Sequence, residues 1–252
     1  MTKSRVKKEE DKKKNNLKSL PVLSTLKEGL HLIGNPPLSV ICIMRKVHFP
    51  AIKLTSEPNT HKYFTQRYGL FSKYDEGIQL DDESWYSVTH EIIAQHIAYI
   101  CRNCSIVMDG FAGVGGNVIQ FAKYCKVLAV DIDKSKLEML ENNANIYGVL
   151  SNIKCIVDDF LNIPSHNCRV DVVFASPPWG GPGYLNSRVF DISEMAPKLQ
   201  EILRACEKIA ENTILYLPKN LDPLDIYRII METHLKYKKI EFQVISKASA
   251  VS

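Results

Sequence analysis

Residues 106–131 read "IVMDGFAGVGGNVIQFAKYCKVLAVD", and the order of residue types in this stretch decides the fold. "IVMD" (106–109) has the composition of a short strand, residues 116–124 carry helical apolar spacing, and "VLAVD" (127–131) is a second apolar strand. Two strands joined through a helix run parallel. Between the first strand and the helix stand Gly113, Gly115 and Gly116, which let the backbone turn tightly and approach a ligand with no Cβ in the way. Their spacing is GxGG, not the GxGxxG of dinucleotide-binding folds.

The same alternation continues downstream. Strands are expected at 153–157, 170–175, 213–217 and 240–245, and helices at 134–147, 193–211 and 222–235. Repeated β–α units of this kind form an α/β fold, a parallel sheet with helices on both faces. Upstream, "THEIIAQHIAYI" reads as a helix with Thr89 as N-cap, Glu91 in its first turn, and Ile92, Ile93, His96, Ile97 and Ile100 on its apolar side. Residues 61–100 therefore form a small N-terminal helical extension, ahead of a core spanning 101–252. Residues 21–60 are read as a linker or loosely packed segment, although "NPPLSVICIMRKVHFP" holds an apolar run between prolines that suits a short strand or packed extended segment.

Charge is unevenly distributed. The net charge of +4 over 252 residues comes from residues 1–20, which hold eight Lys/Arg and three Asp/Glu; the remainder has 24 basic and 25 acidic residues. That basic tail is expected to be disordered, and to hold RNA non-specifically, meet ribonucleoprotein partners or carry a nuclear address, unless it is simply a solvated terminus. No stretch approaches the ~20 apolar residues of a membrane span, and the lysine-rich start is unlike a signal peptide. A soluble intracellular protein follows as the expectation. Seven cysteines, an odd number, fit reduced thiols. Cys101-Arg-Asn-Cys104 lacks a second ligand pair, and the histidines of "HEIIAQH" (90–96) point to different helix faces, so no metal is expected.

In an open parallel sheet, ligands bind beyond the carboxyl ends of the strands. Asp109 ends the first strand of the quoted stretch and suits a methionine ammonium. Asp131 ends the second and can accept both hydroxyls of a ribose. After the third strand, Asp159 and Phe160 can bind and cover an adenine. Glycine turn, ribose acid and adenine acid, in this order, read as an S-adenosylmethionine site in a Rossmann-like class I methyltransferase.

The strand at 170–175 runs into "SPPWGGPGY" (176–184), where prolines and glycines hold Trp179 stiff in a loop. "SPPW" resembles the [DNS]PP[FYW] motif of methyltransferases that modify exocyclic amines of bases. An aryl amine is a poor nucleophile because its lone pair is delocalised into the ring. Acceptors at Ser176 and at the Pro177 carbonyl would favour a pyramidal nitrogen aimed at the methyl, while Trp179 stacks on the base. Positioning and electrostatics suffice for such a transfer.

Taken together, "QRYGLFSKYDEGIQLDDESWYSVTHEIIAQHIA", "DGFAGVGGNVIQFA", "AVDIDKSKLEMLENNANIYGV" and "FASPPWGGPGY" resemble the trimethylguanosine synthase family over roughly residues 61–235. A monomer working in the nucleus (nucleolus or Cajal-type bodies) and cytoplasm is expected, and the resemblance implies transfer of methyl groups from S-adenosylmethionine to N2 of the 7-methylguanosine cap of small nuclear and nucleolar RNAs. It implies that Trp179 stacks on the cationic cap base, that Ser176 and Pro177 orient N2, and that Lys62, Tyr184 and Lys219 meet the cap phosphates. Phe71 and Thr89 would line the donor or cap pocket; Gly113, Gly115, Asp109, Asp131, Asp159 and Phe160 would hold the donor. The family's usual "LPRN" is "LPKN" here, so Lys219 loses the fork of an arginine, and Gly183 replaces an acid. The chain stops where the family continues into a last antiparallel strand, so that strand is expected to be missing or remodelled. Two other readings stay open: a methyltransferase for another base amine (rRNA guanine N2 or adenine N6), and a cap-binding scaffold weak in catalysis.

Overall fold

Every strand pairing in the computed structural model is parallel, and the strands lie in the order β4-β3-β2-β5-β6-β1-β7. The structure describes residues 39–46, 63–164, 169–180, 188–235, 237 and 239–246. The strands are β1 (Ser39–Lys46), β2 (Ile106–Asp109), β3 (Lys126–Asp131), β4 (Ile153–Val157), β5 (Val170–Ala175), β6 (Ala210–Leu217) and β7 (Lys239–Ser246). Five α-helices of the described residues follow the expected pattern: α3 (Glu91–Ile100), α4 (Val118–Phe121), α5 (Lys134–Ile146), α6 (Leu199–Ile209) and α7 (Pro223–Glu232). Two single-turn helices precede them, α1 (Arg67–Leu70) and α2 (Ser84–Ser87).

Side chains alternate between two cores, as a sheet covered on both faces requires. Along β5, Val172 and Phe174 join the core beneath α3, α4 and α5, while Val173 and Ala175 join the core beneath α6 and α7. β6 repeats the pattern, with Ile214 and Tyr216 on the first face and Leu215 and Leu217 on the second. α6 is shorter than the expected 193–211. Pro197 interrupts the run, and Asp191 instead caps a 3-10 turn at Ile192–Glu194 through the Ser193 N–H.

The largest departure from expectation lies in the segment read as a linker. Ser39–Lys46 is a strand inside the sheet, with Ile41 opposite Ile214 of β6 on one side and Glu241 of β7 on the other. Ile41, Cys42 and Ile43 are buried, which is why this run is apolar on consecutive residues. The position beside β6 is thus filled by a parallel strand from upstream, and the methyltransferase core is not confined to 101–252. The basic segment 1–20 lies outside the described residues. No helix among the described residues is long and apolar enough to cross a membrane.

The extension is stitched to the core by buried polar groups. Asn143 of α5, fully buried, accepts from the Gln79 N–H (2.8 Å) and donates to Gln79 O (2.9 Å) and to Val114 O in the glycine turn (3.0 Å). The buried carboxylate of Glu91 on α3 accepts from Ser72 N (2.5 Å) and from the Tyr147 hydroxyl (3.2 Å). Thr89 does not cap α3. His90 occupies the cap position, and the Thr89 hydroxyl is turned to Asn117, whose Nδ2 donates to it at 3.0 Å.

Candidate active site

Strand order reverses between β2 and β5, so the loops after these two strands diverge and leave a crevice. A cavity of about 490 Å³ opens there, within the usual range for small-molecule sites. Its wall comes from the turn after β2 (Gly110–Val114, Gly116, Asn117), the ends of β3 (Asp131, Ile132) and β4 (Asp158–Leu161), and the loop after β5 (Ser176–Trp179). Tyr216 of β6, Lys136 of α5, Pro197, and Tyr63, Glu83, Ser84 and Tyr86–Thr89 of the extension complete it.

The glycine turn is held in a shape that side chains would not allow. Gly115 has φ +96°, and a Cβ there would lie 2.9 Å from Leu140 Cγ, itself buried in α5. Gly113 has φ +51°, and its N–H donates to Asp131 Oδ2 at 2.7 Å, tying the turn to the end of the neighbouring strand. Asp131 Oδ1 accepts from Asp133 N at 2.9 Å. Each carboxylate oxygen keeps a second lone pair, so Asp131 is fixed in place and still able to accept ribose hydroxyls. Gly115 itself faces α5 and is not on the wall; a turn that brings the backbone of Gly110, Gly113 and Gly116 to the wall, bordered by an anchored acid, fits the nucleoside and methionine parts of S-adenosylmethionine.

Asp109 differs from expectation. It is fully buried and stands behind the wall, where Oδ1 accepts from Phe111 N at 3.0 Å and shapes the turn. Its Oδ2 has no hydrogen-bond partner among the described residues. Burial pushes its carboxyl up to about 7; the Asp131 charge adds to this and the Phe111 N–H opposes it. Asp159 does reach the wall, with Oδ1 accepting from Leu161 N (3.0 Å) and Oδ2 from Asn162 Nδ2 (3.3 Å). Phe160 borders the cavity but is almost wholly buried, its ring 5.6 Å from that of Phe111, so it forms a floor and not a free cover.

Ser176, Pro177 and Trp179 stand together on the opposite wall. Trp179 is half-buried, and its ring centroid lies 5.5 Å from that of Tyr216 with a 50° tilt. Tyr216 thus backs the indole from the sheet. Thr89 lies on the wall. Phe71 does not: it is buried in the core with its ring 6.3 Å from Tyr147. Its apolar side chain serves the joint between extension and α5. Lys219 is exposed just past β6 and is not part of the cavity wall. Lys62 and Tyr184 lie outside the described residues.

Charge on the wall is one-sided. Among the described lining residues Glu83, Asp131, Asp158 and Asp159 are acidic, and Lys136 is the basic one. A cavity of this sign attracts cationic ligands, which a sulfonium and an N7-methylated guanine both are. Sequence reasoning missed Lys136, Asn117, Tyr216, Tyr63 and Tyr86. Tyr216 alone carried a local signal, as the aromatic near the end of the apolar strand "TILYL". Among the described residues no group of three or more His, Cys, Asp or Glu side chains is arranged to hold a metal ion.

The chain is similar to several known proteins. A trimethylguanosine synthase of Schizosaccharomyces pombe is 39% identical over 170 residues, covering 64% of this chain and 71% of its own. The Saccharomyces cerevisiae trimethylguanosine synthase is 36% identical over 173 residues, covering 64% of this chain and 55% of its own. Among solved structures, TrmN from Thermus thermophilus is similar with a TM-score of 0.41 and 21% identity, over 54% of this chain and 42% of that one. The RNA cap guanine-N2 methyltransferase profile matches residues 104–252, from just before β2 through β7. That match takes in the glycine turn, Asp131, Asp159 and the Ser176–Trp179 loop, and on it the chain belongs to the RNA cap guanine-N2 methyltransferase family.

Proposed function

We propose that this protein converts the 7-methylguanosine cap of small nuclear and nucleolar RNAs to the 2,2,7-trimethylguanosine cap. The coarser reaction, methyl transfer from S-adenosylmethionine to N2 of the cap guanine, is that of its family. The observation that carries the finer reading is Trp179, backed by Tyr216 on a cavity whose other ionisable groups are mostly acids. A flat cation stacks on an indole with about 1–3 kcal/mol, and the acidic wall adds to its preference over neutral guanine. The resemblance of both yeast relatives, which bear the name of that activity, points the same way.

When bound, S-adenosylmethionine supplies an electrophilic methyl group on sulfur. The chain does the rest. Asp131 and Asp159 anchor the nucleoside, and the glycine turn, held by Asp109 from behind, keeps its backbone close. Ser176 Oγ and the Pro177 carbonyl accept hydrogen bonds from the cap N2 amine and orient its lone pair, while Trp179 sets the plane of the base. The roof formed by Ser84 and Tyr86–Thr89 limits water. Lys219, just past β6 and off the cavity wall, would meet the cap phosphates together with Lys62 and Tyr184. The proposed RNA class is what supports work in the nucleus and cytoplasm, and the charge of residues 1–20 is what supports their contact with ribonucleoproteins.

The test is mass analysis of capped RNA after incubation with the full chain and S-adenosylmethionine. Successive addition of two methyl groups to the guanine of a 7-methylguanosine cap, with an unmethylated cap reacting far more slowly, is expected. Equal rates on both caps, or methylation confined to internal guanine or adenine, would overturn the reading.

A further inference from the structure

A lysine on an otherwise acidic wall invites assignment to the cap phosphates, but the partners of Lys136 say otherwise. Its Nζ lies 2.5 Å from Glu83 Oε2 and 3.8 Å from Asp81 Oδ2, both on the extension, and its side chain is only 16% exposed. Asp81 is itself fixed, because its Oδ1 accepts from Ser84 N at 2.8 Å. Burial works against the Lys136 ammonium, yet the Glu83 hydrogen bond and the charges of Glu83 and Asp81 outweigh it and hold its value above that of an ordinary lysine. The ammonium is therefore committed to the extension.

On the core side, Lys136 stands in the first turn of α5. That turn is capped by Asp133, whose Oδ1 accepts from Ser135 N at 2.8 Å, and the Asp133 N–H in turn donates to Asp131 Oδ1. A short chain of contacts thus runs from the ribose acid Asp131 through the start of α5 to Glu83, and from there along the chain to Ser84 and Tyr86–Thr89, which line the same cavity. Around Lys136 the charged and titratable neighbours are Glu83, Asp81 and Tyr86 on the extension, Asp131 on β3 and Asp133 at the cap of α5.

We propose that Lys136 is a positioning residue that latches residues 81–89 at the methyl-donor site, so that donor affinity depends on the Lys136–Glu83 pair, the ammonium being engaged by Glu83 and Asp81 and not by donor or cap. This rests on reading the cavity as the donor site. A partly buried pair whose partner is removed leaves an uncompensated charge, so breaking it costs more than a surface pair would.

The test uses the full chain and S-adenosylmethionine, with affinity measured by calorimetry and roof order by hydrogen exchange of residues 81–89. Lys136→Glu is expected to weaken donor binding at least tenfold and to speed exchange in that segment, with KM for the donor rising more than kcat falls. Lys136→Arg should retain most of the affinity. The charge exchange Lys136→Glu with Glu83→Lys should restore most of what Lys136→Glu loses, because Asp81 remains to help hold Lys at 83. Unchanged affinity in Lys136→Glu would overturn the latch, and failure of the exchange to restore any of the lost affinity while Lys136→Arg folds and binds would overturn it in favour of direct contact with ligand. If the unaltered protein binds no S-adenosylmethionine, the donor-site reading itself fails, which is a separate outcome.

Discussion

Asp109 offers a test of the buried electrostatics behind the active site. Its carboxyl is sealed from solvent, one oxygen holds the Phe111 N–H and the other has no partner among the described residues. Burial moves it from an ordinary 3.8 to about 7. The folded protein therefore keeps a proton that the unfolded chain gives up, so stability from this group is fully present below pH 3.8 and is lost as pH rises through 7. At about 1.4 kcal/mol per pH unit, the full loss is about 4 kcal/mol, of which roughly 2.5 kcal/mol falls between pH 5 and 8. Asp109→Asn imitates the protonated acid at all pH values. Urea unfolding of both proteins across pH 5–8 should show them close in stability at the acid end, with the variant more stable by about 2–3 kcal/mol at pH 8. A stability difference that stays constant across this range would mean that Asp109 is charged throughout, and would refute the argument that its site is closed to water.

Two further outcomes are expected. Trp179→Ala should weaken binding of a 7-methylguanosine cap analogue about 5- to 150-fold, the equivalent of about 1–3 kcal/mol, with donor affinity by calorimetry within about threefold of the parent; an equal loss for both ligands would assign Trp179 to the shared architecture instead. Gly115→Ala and Gly148→Ala both place a side chain at positive φ, but the first drives its Cβ to 2.9 Å from Leu140 Cγ while the second meets nothing within 4 Å. The first should therefore cost about 1–3 kcal/mol more in urea unfolding than the second; equal costs would mean that the turn and α5 are not in tight contact.

Legibility in the sequence followed the range of the interactions concerned. β2 to β6 could be read because each is a local apolar run bounded by turn residues, and Asp131, Asp159 and Ser176–Trp179 because strand ends in a parallel sheet converge by geometry alone. β1 was not, because "VICIM" pairs with residues far along the chain and nothing local separates a buried central strand from a packed segment between prolines. Thr89 reads as a helix cap since the hydroxyl has the right type and place; its partner in the fold, Asn117, is brought up by tertiary packing. Lys136 sits in "DIDKSKLEML", a stretch that resembles any solvated helix start, and only the folded extension reveals its partners. Asp109 occupies the expected strand end, yet the pattern of alternating faces could not show that the turn above it closes it off.

The place of β1 bears on how the molecule is made. It leaves the ribosome first of all the described strands, but its neighbour in β6 follows about 170 residues later and β7 later still. At about 5–20 residues per second that is a wait of roughly 10–35 s. The strands that carry the cavity pair among themselves without it, so the catalytic half can assemble while this segment is still idle. Until β6 arrives, the apolar run at Val40–Met44 has no strand to join and is open to association with other chains. The earliest-made of the described strands thus joins the sheet only once β6 exists, with β7 still to add beside it, and the yield of folded protein is expected to depend on how well it is kept from other chains in the meantime.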